Sequence, residues 1–251
     1  MDPLPRQSQS VSSSLEHVPV VILCGGKGSR MRENGELTPK PMVEVGGKPI
    51  LWHIMKSYVS HGFRRFVLPL GYGGAQIKRY FKSTPHAPWE ISFVDTGINT
   101  LKGGRLKRVE KYLAADHFHL TYGDGVISSD LSKLHAYHLR HGKMGTVTVV
   151  HPPSRFGEII LSGNRVRHFE EKPQLSTGLI NGGFFVFKTE FLKHLKPDAG
   201  CDLEFGALQK IAAKGQLQAY RHDGFWQCMD TPRERDVLNK LWEKGAPWKS
   251  W

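Results

Sequence analysis

The sequence has few cysteines, no long apolar run and a deficit of acidic residues. Three cysteines in 251 residues, Cys24, Cys201 and Cys228, lie far apart and form no C-x-x-C pair. They argue against a disulfide framework or a structural zinc site and favour a reducing, cytoplasmic location. No apolar run approaches the roughly 20 residues that span a bilayer. These absences exclude membrane-spanning proteins, and the hydrophobic content of 39% excludes fibrous and wholly disordered ones.

The charge balance is strongly basic, with 35 Lys and Arg against 23 Asp and Glu and a net charge of +12. Such a balance indicates polyanionic partners, either nucleic acid or phosphorylated small molecules. The sequence has no RRM, KH or helix-turn-helix signature and no organised aromatic platform. We therefore expect phosphorylated small molecules as partners, with no nucleic acid and no membrane.

The amino terminus differs in composition from the rest of the chain. Residues 1–17 are rich in Ser, Gln and Pro and carry no continuous apolar segment, so they predict a flexible tail that is neither a signal peptide nor an anchor. Residues 18–251 contain no internal repeat and no long linker, which predicts one domain.

Strands and helices alternate along this domain, which predicts an α/β fold with a mostly parallel mixed sheet flanked by helices. The predicted strands and helices follow in chain order. Strands are expected at Val20–Leu23, Phe66–Leu70, Ile91–Val94, His117–Tyr122, Met144–Val150, Glu158–Leu161, Val166–Glu170 and Gly183–Phe187. Helices are expected at Ile50–His61, Gln76–Phe81, Leu106–Leu113, Leu131–His141, Glu190–His194, Leu203–Lys214 and Pro232–Lys244.

A glycine-rich loop, L-C-G-G-K-G-S-R, follows the first strand at Leu23–Arg30. Glycines let backbone N–H groups approach phosphate oxygens closely, although the same pattern also fits an ordinary tight turn. The loop matches neither a Walker A motif nor G-x-G-x-x-G, because Met31 stands where a third Gly or Ala is needed. Lys40, held between two prolines in T-P-K-P-M, favours the phosphate interpretation.

Two aspartates are candidate metal ligands, and each has an alternative structural role. Asp124 lies in G-D-G at the end of a strand, where it could hold Mg²⁺ on nucleotide phosphates or cap a turn. Asp230 lies in Q-C-M-D-T-P, where it could bind metal or be the N-cap of the next helix, a role that Thr231 could equally fill.

The ordered motifs resemble those of the sugar-phosphate nucleotidyltransferase family, over residues 18–251. The resemblance is carried by G-G-x-G-[ST]-R, K-P-M-[VL]-x-[VI]-x-G-K-P, V-D-T-G, G-G-R-L-K-R, T-Y-G-D-G-V, F-E-E-K-P, N-G-G-F-F-V-F and F-W-Q-C-M-D-T. Together they look specifically like the glucose-1-phosphate cytidylyltransferase branch. The resemblance implies a Rossmann-like nucleotidyltransferase fold with an elaboration on the sugar side.

The resemblance also implies a role for individual residues. It implies catalytic roles for Arg30, Lys40, Asp124 and Lys172, and Mg²⁺ ligation by Asp124 and Asp230. It implies a nucleotide site at Leu23, Cys24, Gly25, Gly26, Lys27, Gly28, Ser29, Arg30, Lys40, Thr96, Gly97, Arg105 and Gly123. It implies a sugar-phosphate site at Arg105, Glu171, Lys172, Asn181 and Gly182.

The implied reaction is CTP plus α-D-glucose 1-phosphate giving CDP-glucose and pyrophosphate, carried out by a homo-oligomer built on trimers. Cys201–Leu208 keeps only Glu204 and Leu208 of the family's W-E-x-x-P-L type pattern, so a different sugar 1-phosphate or phosphorylated acceptor remains an alternative. A catalytically silent nucleotide-sugar sensor is a second alternative, which the presence of both aspartates and both lysines disfavours. Trp242–Trp251 predicts internal packing or a subunit contact.

Overall fold

A seven-stranded sheet organises the protein in the computed structural model, which describes residues 15–26, 31–33, 36–83, 89–152, 157–171 and 178–251. Its strands are β1 (Val20–Leu23), β2 (Arg65–Leu70), β3 (Glu90–Asp95), β4 (His117–Tyr122), β5 (Gly145–Val150), β6 (Ile180–Lys188) and β7 (Leu217–His222). They lie in the order β7-β5-β6-β4-β1-β2-β3. The strand β6 runs antiparallel to β4 and β5, and the other neighbouring pairs are parallel. The predicted α/β class with a mostly parallel mixed sheet is confirmed.

The first strand lies in the middle of the sheet because both of its faces are apolar. Val20 and Ile22 pack into one hydrophobic core, and Val21 packs into a second core on the opposite face. This alternation is the period of two expected for a strand that is covered on both sides. The centre of the sheet is therefore fixed by the apolar run that the sequence shows.

The helices cover both faces of the sheet. They are α1 (Ile50–Ser60), α2 (Gly74–Ser83), α3 (Lys102–Arg108), α4 (Leu131–His141), α5 (Gln209–Ala213) and α6 (Pro232–Glu243). The helices α1, α2, α4 and α6 contribute to the first core, and α3 and α5 contribute to the second. The bounds of α4 agree with the prediction because Asp130 caps its first turn and Gly142, at φ 64°, ends it.

Shorter elements surround the main sheet. Paired short strands occur at Met31–Glu33 with Glu36–Thr38, Glu44–Val45 with Lys48–Pro49, Gly125–Ile127 with Trp226–Cys228, and Gly157–Ser162 with Arg165–Glu171. Single 3₁₀ turns lie at Lys40–Met42, Glu110–Tyr112 and Thr189–His194, and a π-type turn lies at Leu203–Leu208.

Three predicted helices differ from the structure in type, and the helix expected at Gln76–Phe81 is longer, at Gly74–Ser83. The helix expected at Leu106–Leu113 is α3 followed by a 3₁₀ turn, and the one at Glu190–His194 is a 3₁₀ turn. The helix expected at Leu203–Lys214 starts as a π-type turn that is interrupted at Phe205 (φ −82°, ψ 44°) before α5 begins. The strand β7 was not predicted, because a partly buried edge strand shows little apolar alternation.

The folded part includes residues on the amino-terminal side of the boundary predicted at Val18. Leu15 is only 3% exposed and belongs to the first core. The division into a tail and one domain otherwise stays a prediction. No helix in the described ranges is both long enough and apolar enough to cross a membrane.

Candidate active site

The candidate site lies at the point where the strand order reverses. In the sheet, β1 has β2 and then β3 on one side and β4 on the other, so the chain continues in opposite directions from β1. In open α/β sheets, ligands bind outside the carboxyl ends of the strands at such a switch point. Gly25 and Gly26 follow β1 here, and Gly123 and Asp124 follow β4. The fold therefore brings two of the predicted motifs to one edge of the sheet.

Two adjoining cavities open at this edge. The larger cavity has a volume of about 540 Å³, and we refer to it as the cleft. The cleft is lined by Leu23, Gly25, Gly26, Ile98, Asn99, Thr100, Leu101, Lys102, Arg105, Tyr122, Gly123, Asp124 and Asp202. A smaller pocket of about 100 Å³ is lined by Leu23, Cys24, Gly26, Pro39, Lys40, Pro41, Tyr72, Gly123 and Asp124. Asp124 lines both cavities, so they form one candidate site.

Lys40 lies between the two predicted metal carboxylates. Its ammonium donates a hydrogen bond to Asp124 Oδ2 over 3.2 Å and a shorter one to Asp230 Oδ1. The backbone supports this meeting, since the N–H of Met229 donates to the carbonyl of Asp124 over 2.8 Å. Two aspartates that are distant in sequence thus share one cation.

Asp230 is placed by the start of α6 without being its N-cap. Thr231 is the N-cap, and its side chain accepts from the N–H of Glu234. The carboxylate of Glu234 in turn accepts from the backbone N–H groups of Asp230 and Thr231 over 2.6 and 2.8 Å. This capping box leaves the Asp230 carboxylate directed at Lys40.

The electrostatics of this trio favour a further cation. Burial raises the pKa of Asp124, and Lys40 offsets only part of the shift. Burial acts to lower the pKa of Lys40, but the two carboxylates outweigh it and the net shift is upward. The pKa directions reflect burial of Asp124 and the pairing of Lys40, and the trio itself holds two carboxylates against one ammonium.

The donor set fits a hard divalent cation that shares its coordination with a substrate. Two carboxylates supply the oxygen ligands that Mg²⁺ prefers, and Mg²⁺ usually takes its other ligands from phosphates and water. Within the described ranges, no group of three or more His, Cys, Asp or Glu side chains is arranged to hold a metal ion. The site is therefore suited to a metal that arrives with phosphates.

Gly25 is required by the close approach of the turn to Arg105. A Cβ atom on Gly25 would lie 2.2 Å from Arg105 Nη1 and 2.8 Å from the backbone nitrogen of Gly71. The guanidinium of Arg105 donates to the carbonyls of Leu70 and Ile98 and to the hydroxyl of Thr96. Arg105 is only 2% exposed. Arg105 thus lies in the wall of the cleft with little of its surface exposed, and its predicted contact with phosphate stays a prediction.

Thr96 and Gly97 form the base of a loop that borders the cleft. The Thr96 hydroxyl donates to the carbonyl of Leu70 over 2.7 Å. Gly97 has φ 80°, a conformation that favours glycine, and its N–H donates to Asp95 Oδ1 over 2.9 Å. These bonds attach the loop that carries Ile98 and Leu101 to the ends of β2 and β3.

Asn181 joins a side-chain network that the sequence did not predict. Its amide donates to the hydroxyl of Tyr122 over 3.3 Å, and that hydroxyl donates to Glu204 Oε1 over 2.7 Å. The ammonium of Lys102 pairs with the same Glu204 oxygen and lies 4.7 Å from the centroid of the Tyr122 ring. Only the position of Tyr122, directly before G-D-G, could have indicated this network from the sequence.

The remaining predicted residues are only partly covered by the structure. The carbonyl of Gly182 accepts from the indole N–H of Trp226 over 2.7 Å. Glu171 is described only as the last residue of a strand. The predicted residues Lys27, Gly28, Ser29, Arg30 and Lys172 lie outside the described ranges.

Comparisons with known proteins identify the family of this chain. Residues 19–238 match the family model described as Nucleotidyl transferase. The chain is 44% identical to glucose-1-phosphate cytidylyltransferase of Salmonella typhi, over 92% of this chain and 98% of that protein. It is 30% identical to the catalytic subunit beta of mannose-1-phosphate guanylyltransferase of Drosophila melanogaster, over 88% of this chain and 61% of that protein.

Solved structures share the fold at low sequence identity. UDP-glucose pyrophosphorylase complexed with UDP-glucose superposes with a TM-score of 0.70 at 15% identity, covering 90% of this chain and 98% of the other. HddC from Yersinia pseudotuberculosis complexed with GMP-PN superposes with a TM-score of 0.68 at 23% identity, covering 90% and 99%. At these identities the likeness concerns the fold alone.

Proposed function

The chain belongs to the nucleotidyl transferase family, and from this premise we propose that it transfers a cytidylyl group from CTP to α-D-glucose 1-phosphate. The products are CDP-glucose and pyrophosphate. The similarity to a glucose-1-phosphate cytidylyltransferase along nearly the whole length of both chains supports the choice of both substrates.

The observation that carries this proposal is the meeting of Asp124, Asp230 and Lys40 beside the cleft. A catalytically silent binding protein has no need for two carboxylates that share a cation at a phosphate site. Nucleotidyl transfer needs such a group of charges, because two anions must approach each other in line.

The chemistry requires charge neutralisation and alignment more than proton transfer. The attacking group is an oxygen of the sugar phosphate, which is largely dianionic at neutral pH because its second pKa is about 6. A bond forms between this oxygen and the α-phosphorus of CTP. The bond from that phosphorus to the oxygen bridging to the β-phosphate breaks, and pyrophosphate leaves on the opposite side. No general base is needed.

In this scheme Asp124 and Asp230 hold Mg²⁺, which when bound neutralises negative charge on the phosphate oxygens. Lys40 keeps the two carboxylates together and, with Arg30, binds the departing phosphates. Lys172 positions the attacking phosphate, and Arg105, whose hydrogen bonds go to Leu70, Thr96 and Ile98, holds the wall of the cleft beside it. Preorganised positive charge of this kind is usually the largest contribution to such catalysis.

The remaining residues of the scheme bind the two substrates on either side of the reacting phosphates. The nucleotide lies against the glycine turn and the loop that begins at Thr96 and Gly97. The sugar lies near Glu171, Asn181 and Gly182. A trimer-based homo-oligomer and a cytoplasmic location complete the proposal, the latter supported by the sparse cysteines.

A different sugar 1-phosphate is the second candidate acceptor. The segment Cys201–Leu208 departs from the family pattern, and its Glu204 contacts the candidate site through Tyr122. A change in this segment can therefore reach the substrates.

One matrix of assays tests the proposal. Four nucleoside triphosphates are combined with a panel of sugar 1-phosphates, and pyrophosphate release is measured with Mg²⁺. We expect the highest kcat/KM with CTP and glucose 1-phosphate, and high activity with another pair but none with this one would overturn the choice of substrates.

A substitution in the same assay tests the mechanism. Asp124→Asn should lower turnover by about two to three decades, as the removal of one electrostatic stabiliser does. Asp116→Asn is the matched control, because Asp116 is exposed and precedes β4 at the other end of the strand. Near-normal pyrophosphate release by Asp124→Asn would contradict the mechanism.

A further inference from the structure

Lys102 is the more exposed of the two described cationic residues that line the cleft. Among the described residues that line the cleft, the cationic side chains are those of Lys102 and Arg105. The side chain of Lys102 is 46% exposed, whereas Arg105 is almost fully buried. A phosphate that enters the cleft therefore meets the ammonium of Lys102 before it meets the guanidinium of Arg105.

Arg105 already donates its hydrogen bonds to the protein. Its Nη1 donates to the carbonyl of Leu70 over 2.9 Å and to Thr96 Oγ1 over 2.7 Å, and its Nη2 donates to the carbonyl of Ile98 over 3.3 Å. These acceptors hold the cleft wall in place. If Arg105 turned towards a substrate, it would give up three hydrogen bonds to the protein, which is unfavourable.

Lys102, by contrast, has a partner that it can exchange. Its ammonium pairs with Glu204, which also accepts the Tyr122 hydroxyl. Partly exposed ion pairs contribute little to stability. A phosphate offers more negative charge and more acceptor oxygens than one carboxylate, so exchange of Glu204 for phosphate is favourable.

The position of Lys102 matches the place where phosphates are expected. Asp124 lines the same cleft, and the charge of Lys102 is close enough to lower the pKa of Asp124, although burial dominates that shift. The Tyr122 ring lies beneath the ammonium and favours a cation at this place.

We propose that Lys102 binds a phosphate group of a substrate in the cleft, and that Glu204 holds the ammonium in position until the phosphate arrives. The inference rests on the proposed function in one respect, since the phosphate belongs either to the nucleoside triphosphate or to the sugar 1-phosphate. The shared chemistry is a phosphate oxygen, and separate ligands distinguish the two sources.

Calorimetric titration of single ligands tests this role. CTP, pyrophosphate, glucose 1-phosphate and cytidine are each titrated, with Mg²⁺ present, into the wild type and into Lys102→Met, Lys102→Arg and Lys107→Met. Lys107→Met is the matched control, because Lys107 lies on the same helix and pairs with Glu110. Without a second substrate no turnover disturbs the measurement.

Lys102→Met should weaken binding of CTP or of glucose 1-phosphate by roughly tenfold or more, as loss of a charge-assisted hydrogen bond does. The affected ligand identifies the source of the phosphate. If Lys102 contacts the departing phosphates, the substitution should weaken the binding of pyrophosphate as well as that of CTP. Cytidine binding should stay unchanged, and Lys102→Arg should restore most of the lost affinity, which a merely structural role would not explain.

The role of Glu204 is tested by a double-mutant cycle. Glu204→Gln keeps an acceptor for the Tyr122 hydroxyl but removes the charge that competes for Lys102. It should tighten phosphate binding a few-fold in the wild type and leave it unchanged in Lys102→Met. An equal effect of Glu204→Gln in both backgrounds would overturn the holding role.

The failure of this proposal and the failure of the proposed function have different signatures. If Lys102→Met binds every phosphorylated ligand as the wild type does, the phosphate role of Lys102 is wrong even if CDP-glucose is produced. In another outcome, the wild type makes no CDP-glucose while the Lys102→Met variant binds another nucleoside triphosphate more weakly than the wild type does. In that case only the choice of substrates is wrong. Equal weakening of cytidine and CTP would also overturn the phosphate role.

Discussion

At the scale of single residues, Lys40 decides the charge of the candidate site. One ammonium pairs with two carboxylates, one in the loop after β4 and one two residues before α6. The side chains of Lys40 and Asp124 are 14% and 28% exposed. The pair therefore lies between a surface ion pair, worth about 0–1 kcal/mol, and a fully buried one, whose disruption costs about 3–5 kcal/mol.

Removal of this ammonium should destabilise the metal-free protein. We expect Lys40→Met to lower the free energy of unfolding by about 2 kcal/mol in EDTA, because two neighbouring carboxylates lose their cation. Addition of Mg²⁺ should recover part of the loss, because a divalent ion replaces the missing charge. Urea denaturation with and without Mg²⁺ measures both effects.

The control for this experiment is Lys133→Met, which removes an exposed ion pair with Asp130. It should change the free energy of unfolding by less than about 0.5 kcal/mol, with no dependence on Mg²⁺. Equal stabilities of Lys40→Met and Lys133→Met in EDTA would show that the site does not depend on this cation.

At the scale of elements, β4 and α4 bury a group of histidines against each other. Nε2 of His119 on β4 lies 3.2 Å from Nδ1 of His135 on α4. Nδ1 of His138 on α4 lies 2.8 Å from Oγ1 of Thr146 on β5. Burial, assisted by neighbouring histidines, lowers the pKa of His119 strongly and lowers those of His135 and His138 to about 4 and about 3. The two elements therefore pack with these rings neutral.

This packing predicts acid-sensitive stability. The folded-state pKa values lie below the unfolded value of about 6.5, so the stabilisation is complete above pH 6.5 and is lost as the pH falls below it. Each histidine adds a slope of up to about 1.4 kcal/mol per pH unit. Urea denaturation at a series of pH values from 7.5 to about 5 should show the combined slope.

His138→Gln should make that slope shallower, because the variant has one histidine fewer to protonate on unfolding. His17→Gln, a change at an exposed position, is the matched control and should leave the slope unchanged. A stability that stays constant over this pH range in the wild type would rule out the neutral histidine packing.

At the scale of the whole molecule, the carboxyl-terminal segment closes the first core. Trp248 is 1% exposed and packs near His53, Trp242 and Phe225. These partners belong to α1, to α6 and to the segment after β7. The sequence predicted either internal packing or a subunit contact for Trp242–Trp251, and Trp248 takes part in internal packing.

Truncation of this side chain should lower the stability of the entire domain. Trp248→Ala should cost about 3–5 kcal/mol in unfolding free energy, as other losses of large buried aromatic side chains do. Trp251→Ala makes the same chemical change at a partly buried position and should cost clearly less. Thermal or urea denaturation compares the two, and equal losses would contradict the closing role of Trp248.

The sequence predicts those features that depend on contiguous residues. The apolar run of β1, the glycine turn and the G-D-G motif are local, and the structure has β1 at the predicted residues, with Gly25 and Gly26 after β1 and Asp124 after β4. Elements with weak local patterns were less predictable. The π-type turn at Leu203–Leu208 looks helical in its composition, and only the backbone conformation of Phe205 shows its interruption.

The sequence by itself determined the fold class and the family, and it predicted a shared role for the two aspartates that the structure brings to one cation. It could do so because apolar periodicity and short motifs are written in neighbouring residues. Only the tertiary structure decided that Lys40 joins both aspartates, that Arg105 lies in the cleft wall and that Lys102 meets Glu204. The ion pairs of Lys40 and Lys102 link positions 84, 190 and 102 residues apart. Such contacts leave no periodic pattern in the sequence, because the residues come together only when the sheet has formed.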